Sequence, residues 1–479
     1  MHAKITTRAE LIDALRVASE LEHQLMAQYL FAAYSLKRYT YEGLDPVLLE
    51  RVRRWASSIT LIARQEMEHL GLALNLLSSI GGTPSFTRPN MPQRADYYGQ
   101  AGIKLELTRS DLDTILRFQR FEAPDELIQN LKPGQPIDQS KANEWCDRKP
   151  TASRADVMNL LETKGKALKG APVLSFGWQS VQDLYQTIYD GFETLCHEPC
   201  GERGLFIGKP SVQIFGGPGG RQPVGSMDDL NQYGVDLIGV TDLASAQQAI
   251  RMILEQGEGI SVKPSYLPWT HFCLFTGIRQ DMETYDKDGL AARPVVRNPM
   301  TMRYPDVCPQ DEVTLLTNPF SIEVAKLFNG SYELMLLMLL YLYSDNVKTQ
   351  EQVNGMMDGA FFPLMTMFVR PLAEILTELP AFKKGDGEGN AGPGFELNGD
   401  VLLVPTLDAT WDIFQERIDT LVLGFDALLG NGDPWIDLPH QKEPGEKFSR
   451  VWRRLEYLRS CMQRLASDWR AHWNIGYGS

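Results

Sequence analysis

The chain predicts an all-α fold: a bundle of long helices, interrupted by long irregular insertions and followed by a second, C-terminal helical layer. Three observations point there. Residues spaced three and four apart mark buried helix faces over long stretches, the first traced by Leu11, Leu15, Ala18, Leu21, Leu25, Gln28 and Ala32. Capping signals bracket these stretches: Thr7 and Glu10 have the form of a capping box, and Gly81-Gly82 followed by Pro84 is a stop. The length of 479 residues exceeds what one core ordinarily fills, so two or three domains are expected.

The first helix should run from about Thr7 to Lys37 and the second from about Pro46 to Ser79. The short polar link between them makes them antiparallel neighbours. Residues 84 to about 175 break the pattern, with one short helix candidate from Ser110 to Phe121. A third long helix spans Val181 to about Cys196, and a second insertion covers about 198–240. Its run Gly216-Gly217-Pro218-Gly219-Gly220 has no Lys-Ser/Thr after it and no strand context, so it reads as a flexible loop rather than a phosphate cradle. A fourth helix begins at Asp242, breaks around Pro264 and Pro268, and resumes near Thr270. Residues 1–300 thus form the bundle, and 310–479 form a C-terminal helical domain with helices at 318–345, 350–379, 409–430 and 446–474 and a Gly-rich link at 385–395.

Composition excludes several functions. A formal charge of −14 argues against nucleic acid and anionic membrane as partners. The apolar run at 334–343 is about half of what a bilayer span needs, so it is a buried helix able to close a domain interface or a homodimer. No apolar leader stands at the N-terminus, and six cysteines without regular spacing suit a reducing compartment, so a cytoplasmic protein is expected. Cys196 and Cys200 form a close pair without a second metal-binding pair, and read as incidental.

The chemistry concentrates in Glu66-Met67-Glu68-His69. Glu66 and His69 leave the same face of a helix and can reach one metal ion. Ferritin-like bundles build dinuclear sites from such pairs, with further carboxylates from facing helices. Glu22 lies mid-way along the first helix, with Tyr29 seven residues on; Asp183 and Glu193 are the acids of the third; Glu255 and Glu258 share a face of the fourth, and His271 follows the break. That many carboxylates in a dry core would repel one another unless cations were bound. Oxygen and imidazole donors suit two iron ions, manganese, or a mixed pair. Glu68 is offset from Glu66 and points elsewhere, His23 faces away from Glu22, and Tyr29 and Tyr185 read as core aromatics.

Leu21-Glu22 with Tyr29-Leu30-Phe31-Ala32-Ala33-Tyr34-Ser35 resembles the first helix of the ferritin-like domain of iminophenyl-pyruvate dimer synthases, the violacein-pathway family. Arg64-Gln65-Glu66-Met67-Glu68-His69-Leu70 with Ile80-Gly81-Gly82-Thr83-Pro84 is similar to its second helix and turn, and Ser180-Val181-Gln182-Asp183-Leu184-Tyr185 to its third. Glu255-Gln256-Gly257-Glu258-Gly259 with His271-Phe272, and Ala391-Gly392-Pro393-Gly394-Phe395, match later parts of that family. The third helix departs from the pattern in carrying Asp183 where glutamate is expected, and Glu68 stands where an apolar residue is expected. The resemblance implies a ferritin-like bundle in a biosynthetic oxidoreductase family that acts on amino-acid-derived substrates.

The expected function is therefore a non-haem dinuclear oxidoreductase that uses O₂ or peroxide on a small amino-acid-derived substrate in secondary metabolism. Glu66 is expected to bridge and His69 to ligate terminally, mirrored by Glu255 or Glu258 with His271. Glu66 and Glu255 are the carboxylates assigned to catalysis and Glu22, Glu66, His69, Asp183, Glu255, Glu258 and His271 are the metal set, with Asp183 and Glu193 both open on the third helix. Two alternatives stand beside this reading: oxidative imine coupling, and a non-catalytic metal-binding scaffold for a biosynthetic partner.

Overall fold

The structure is a computed structural model that describes residues 4–94, 103–147, 178–197, 204–216, 236–257, 270–345, 355–402, 407–430 and 446–473, apart from 129, 133, 179 and 308. Glu258, Cys200, the glycines at 217–220 and the break at 264–268 lie outside the described residues. The chain divides into two compact units.

The first unit holds residues 1–85, 93–105 and 110–291. Helix α1 (Arg8–Ser35) opens on the capping box expected, with the Thr7 hydroxyl accepting from the Glu10 amide at 3.2 Å and the Glu10 carboxylate accepting from the Thr7 amide at 3.0 Å. Every side chain from Leu21 to Leu36 is buried, which makes α1 a central helix rather than a one-faced surface helix. Helix α2 (Pro46–Ser79) starts on an Asp45 cap with proline at its first position. Its 34 residues reach about 51 Å at ~1.5 Å per residue. It ends where Gly81 turns left-handed at φ +83° and the Gly82 amide bonds back to the Leu77 carbonyl at 2.9 Å.

The predicted insertion contains a two-residue antiparallel ribbon, β1 (Gln93–Arg94) with β2 (Lys104–Leu105), and three short helices. These are α3 (Leu112–Phe121), α4 (Asp125–Ile128) and α5 (Gln139–Asp147). Helix α6 (Val181–His197) packs on α1, and α7 (Leu243–Gln256) packs on α6 and α2. Helix α8 (His271–Tyr285) packs on α3 and α2. Asn75 of α2 fastens the segment before α7: its carboxamide donates to the Ile238 carbonyl at 2.9 Å and accepts from the Ile214 amide at 3.0 Å. Gly208 lies so close to the end of α2 that a Cβ would stand 1.8 Å from the Ser78 carbonyl oxygen, so only glycine fits.

Reduced thiols were expected throughout, yet Cys146 of α5 and Cys273 of α8 are joined as a disulfide. The packing of α5 on α8 brings their Cα atoms to 5.5 Å across a sequence separation of 127 residues, which no spacing rule could foresee.

The second unit holds residues 86–92, 106–109 and 292–479. Its centre is α9 (Pro319–Leu342), apolar on nearly all sides and capped by Asn318. Two π-helical turns, Met357–Phe361 and Leu364–Val369, run into α10 (Arg370–Leu376). Helices α11 (Leu407–Gly430) and α12 (Glu446–Trp473) pack antiparallel, with Arg459 paired to Asp426 and Arg470 to Asp419. A parallel pair, β3 (Pro299–Met300) with β4 (Thr314–Leu315), lies near buried Glu396, whose carboxylate accepts from the Thr301 amide at 3.0 Å and the Asn329 carboxamide at 2.8 Å. Among the described residues no helix is long and apolar enough to cross a membrane.

Candidate metal centre

The first unit buries three carboxylates and two imidazoles around one point. Glu22 comes from the middle of α1, and Glu66 and His69 come from α2, three residues apart as the helix repeat requires. Glu122 is the C-cap of α3, and His271 is the first residue of α8, where the Thr270 cap begins the helix. None of the five is more than 3% exposed.

The five residues form two overlapping groups, Glu22–Glu66–His69 and Glu66–Glu122–His271, each with one donor atom per residue and all such atoms within 4.8 Å of one another. Glu66 belongs to both. One of its oxygens, Oε2, lies 3.1 Å from His69 Nδ1, and the other, Oε1, lies 3.0 Å from His271 Nδ1. Glu22 Oε2 stands 3.8 Å from His69 Nδ1, and Glu122 Oε2 stands 3.3 Å from His271 Nδ1. The imidazole rings are 5.5 Å apart, centre to centre.

Two buried tyrosines hold the outer carboxylates. Tyr185 of α6 donates to Glu22 Oε1 at 2.6 Å, and Tyr29 of α1 donates to Glu122 Oε1. The outer nitrogens of the histidines meet carboxamides: His69 Nε2 lies 2.9 Å from Gln256 Oε1, and His271 Nε2 lies 3.1 Å from Gln65 Oε1.

Burial and mutual repulsion set the charge. Glu22 is held well above the usual carboxylate range by burial and then by Glu66, and Glu66 is raised by burial and by Glu122. Burial also works to raise Glu122, but the charge of His271 and hydrogen bonds from His271 and Tyr29 outweigh it and hold this carboxyl down. Burial drives His69 down to about 4 against the pull of Glu22. For His271 burial acts in the same sense, but Glu66 and Glu122 overcome it and lift the ring to about 10. Among the described residues the positively chargeable partners of the three carboxylates are these two histidines. A dry cluster of three acids with such limited compensation fits divalent cations, and its donors are the oxygen and imidazole types that iron, manganese and zinc accept.

The structure thus brings Glu22, Glu66, His69 and His271 together and adds Glu122, which the sequence reading did not include. Asp183 and Glu255 lie in neither group. Asp183 is buried in the first turn of α6, two residues before Tyr185. Residues two apart on a helix point to nearly opposite sides, so the tyrosine that reaches Glu22 turns Asp183 away. Glu255 is half-buried beside Gln256, which is the residue of that turn that reaches inward to His69. Glu193 is exposed. Glu68 is buried on α2, pushed up to about 8 by burial against the opposing pull of Arg64, and hydrogen-bonded to Gln256.

A family model described as Ferritin-like matches residues 15–280, more than half of the chain and including all five residues of the cluster. The chain belongs to the ferritin-like family. Dichlorochromopyrrolate synthase of Lentzea aerocolonigenes is 24% identical over 440 residues, covering 84% of this chain and 37% of that protein. The 2-imino-3-(indol-3-yl)propanoate dimerase of Chromobacterium violaceum is 24% identical over 408 residues, covering 82% of this chain and 34% of that protein. This ferritin-like chain therefore spans little more than a third of the length of the curated relatives it matches. Among solved structures, a ferritin-like protein from Caulobacter vibrioides shares 19% identity at a TM-score of 0.42, covering 75% of this chain and 96% of that one.

Proposed function

We propose that the chain is a dinuclear-metal oxidoreductase that uses O₂ or peroxide to oxidise a small amino-acid-derived substrate in secondary metabolism. The observation that carries this reading is Glu66, whose two oxygens each belong to a different histidine-containing group. In this reading Glu22, Glu66 and His69 would hold one ion, and Glu66, Glu122 and His271 would hold the other. Two iron ions, or manganese in one or both places, would supply one-electron redox steps and Lewis acidity. The chain's own contribution is a dry site of fixed donors. Tyr185 and Tyr29 orient the outer carboxylates by donating to the oxygen that does not face a histidine.

The names of the two relatives, a synthase and a dimerase, favour one form of this activity, oxidative imine coupling. A carbon–carbon bond would form between two imine units, with two protons and two electrons leaving to O₂ to give hydrogen peroxide. Iron-loaded protein supplied with O₂ and the imine made from an aromatic 2-oxo acid and ammonia tests both levels. Oxygen uptake with a product of two joined units supports coupling. Uptake with a single oxidised unit supports the broader oxidoreductase alone, and no substrate-dependent uptake with any aromatic or aliphatic imine contradicts both.

A further inference from the structure

Both candidate ligand histidines turn the same atom inward. Nδ1 of His69 faces Glu66 at 3.1 Å and Glu22 at 3.8 Å, and Nδ1 of His271 faces Glu66 at 3.0 Å and Glu122 at 3.3 Å. The opposite nitrogen of each ring meets a glutamine carbonyl, Gln256 Oε1 at 2.9 Å and Gln65 Oε1 at 3.1 Å. A carbonyl oxygen only accepts, so the ring nitrogen facing it must carry the proton. A neutral imidazole protonated at Nε2 has its lone pair at Nδ1, the atom that faces the carboxylates.

The direction of the Gln256 carboxamide is itself held. Its amide nitrogen donates to a carboxyl oxygen of Glu68, which leaves the carbonyl for His69. The geometry is a chain, His69–Gln256–Glu68, that begins on α2, crosses to the last residue of α7 and returns to α2. Gln65 makes the corresponding contact for His271 from the position directly before Glu66.

We propose that Gln256 and Gln65 are positioning residues that lock His69 and His271 as Nε2–H imidazoles and so reserve Nδ1 of each for a metal ion. A carboxylate in that place would raise the basicity of the ring it holds, whereas a carboxamide fixes the tautomer and adds no charge. The choice of glutamine on both sides therefore orients the two imidazoles without enriching them. The inference rests on the dinuclear reading only for what occupies Nδ1; the protonation of Nε2 stands or falls on the metal-free protein.

The test is long-range ¹H–¹⁵N correlation of the histidine rings in full-length, metal-free protein labelled with [¹⁵N]histidine, assigned with single histidine variants. The expected result is a protonated Nε2 with a proton-free Nδ1 on His69, and on His271 a protonated Nε2 beside an Nδ1 proton that zinc displaces; a proton-free Nε2 on either would overturn the proposal. Gln256→Leu is expected to shift His69 toward the Nδ1–H form and to weaken zinc binding roughly 10- to 100-fold in a chelator competition. Gln256→Glu keeps an acceptor in place and is expected to restore the Nε2–H form. A Gln256→Leu variant with an unchanged His69 tautomer would contradict the lock. Parent protein that takes up no metal would sink the dinuclear reading, while the ring spectra of that same protein would still decide the tautomers.

Discussion

The two halves of the candidate centre use the same donor types on different kinds of backbone. Glu22, Glu66 and His69 lie in the middle of α1 and α2, whose own hydrogen-bonded turns and continuous burial fix them. Glu122 and His271 lie at helix ends, one the C-cap of α3 and the other the first residue of α8. Their positions depend on how two short elements pack against each other. The electrostatics differ in the same way. His69 is driven down to about 4 and is neutral, whereas His271 is lifted to about 10 and pairs with Glu66 and Glu122 as a cation. Each half therefore holds a proton that an ion must displace, on the carboxyls of Glu22 and Glu66 in the first and on His271 in the second.

Half-site variants give the largest expected effect. Glu122→Ala or His271→Ala should leave about one ion per chain in the His69 half, and Glu22→Ala should leave one in the other half. Elemental analysis of desalted protein reads this directly. Two ions retained in His271→Ala would erase the distinction between the halves.

Acid should empty both halves of the site. Glu22 and Glu66 are held above the usual carboxylate range and His271 up to about 10, so the metal-free cluster carries protons at neutral pH that a cation must displace. Affinity then rises with pH, by roughly tenfold per unit for each proton released. Chelator competition with zinc between pH 6 and pH 8 should show binding that tightens with pH in both halves. A single pH-independent constant would mean that the protons assigned to these groups are absent.

This contrast also explains what the sequence discloses. The Glu66–His69 spacing was legible because an α-helix converts a three-residue interval into a shared face, and Glu22 was legible as an acid buried in an apolar helical run. The long helices were legible for the same reason: the starts at Thr7 and Asp242 and the stop at Gly81 stand where the structure has them. Glu122 was not. Nothing in Phe118-Gln119-Arg120-Phe121-Glu122 marks an inward acid, because a C-cap residue leaves the helix repeat and its direction is decided by the packing of α3 on α8. Asp183 and Glu255 stand on α6 and α7, but the side chains of those helices that reach Glu22 and His69 are Tyr185 and Gln256. Periodicity ranks faces, and with 61 acidic residues it does not single out which acid completes a site formed by several segments.

A smaller effect should separate the tyrosines. Tyr185→Phe removes the donor to Glu22 and Tyr29→Phe the donor to Glu122, each a hydrogen bond to a carboxylate worth about 1.5–3 kcal/mol in a buried setting. Each variant should keep both ions but weaken its own half by roughly 10- to 100-fold. Equal weakening of both halves by Tyr29→Phe would show that the two halves do not act separately.

The smallest effect concerns Glu68. Its folded pKa is raised from the ordinary carboxylate value to about 8, so the stability it contributes is complete below its unfolded pKa and is lost as pH rises through about 8. Metal-free Glu68→Gln should therefore lose less thermal stability than the parent between pH 7 and pH 9. An identical loss in the two proteins would remove Glu68 from the account.

The most direct test of the central claim is the number of iron ions per chain after anaerobic loading with Fe(II), measured on desalted parent protein and on Glu66→Ala. A bridging Glu66 predicts about two in the parent and a loss from both halves together in the variant. A variant that keeps one ion at parent affinity, or a parent that binds none, would contradict the claim that one carboxylate serves two metal sites.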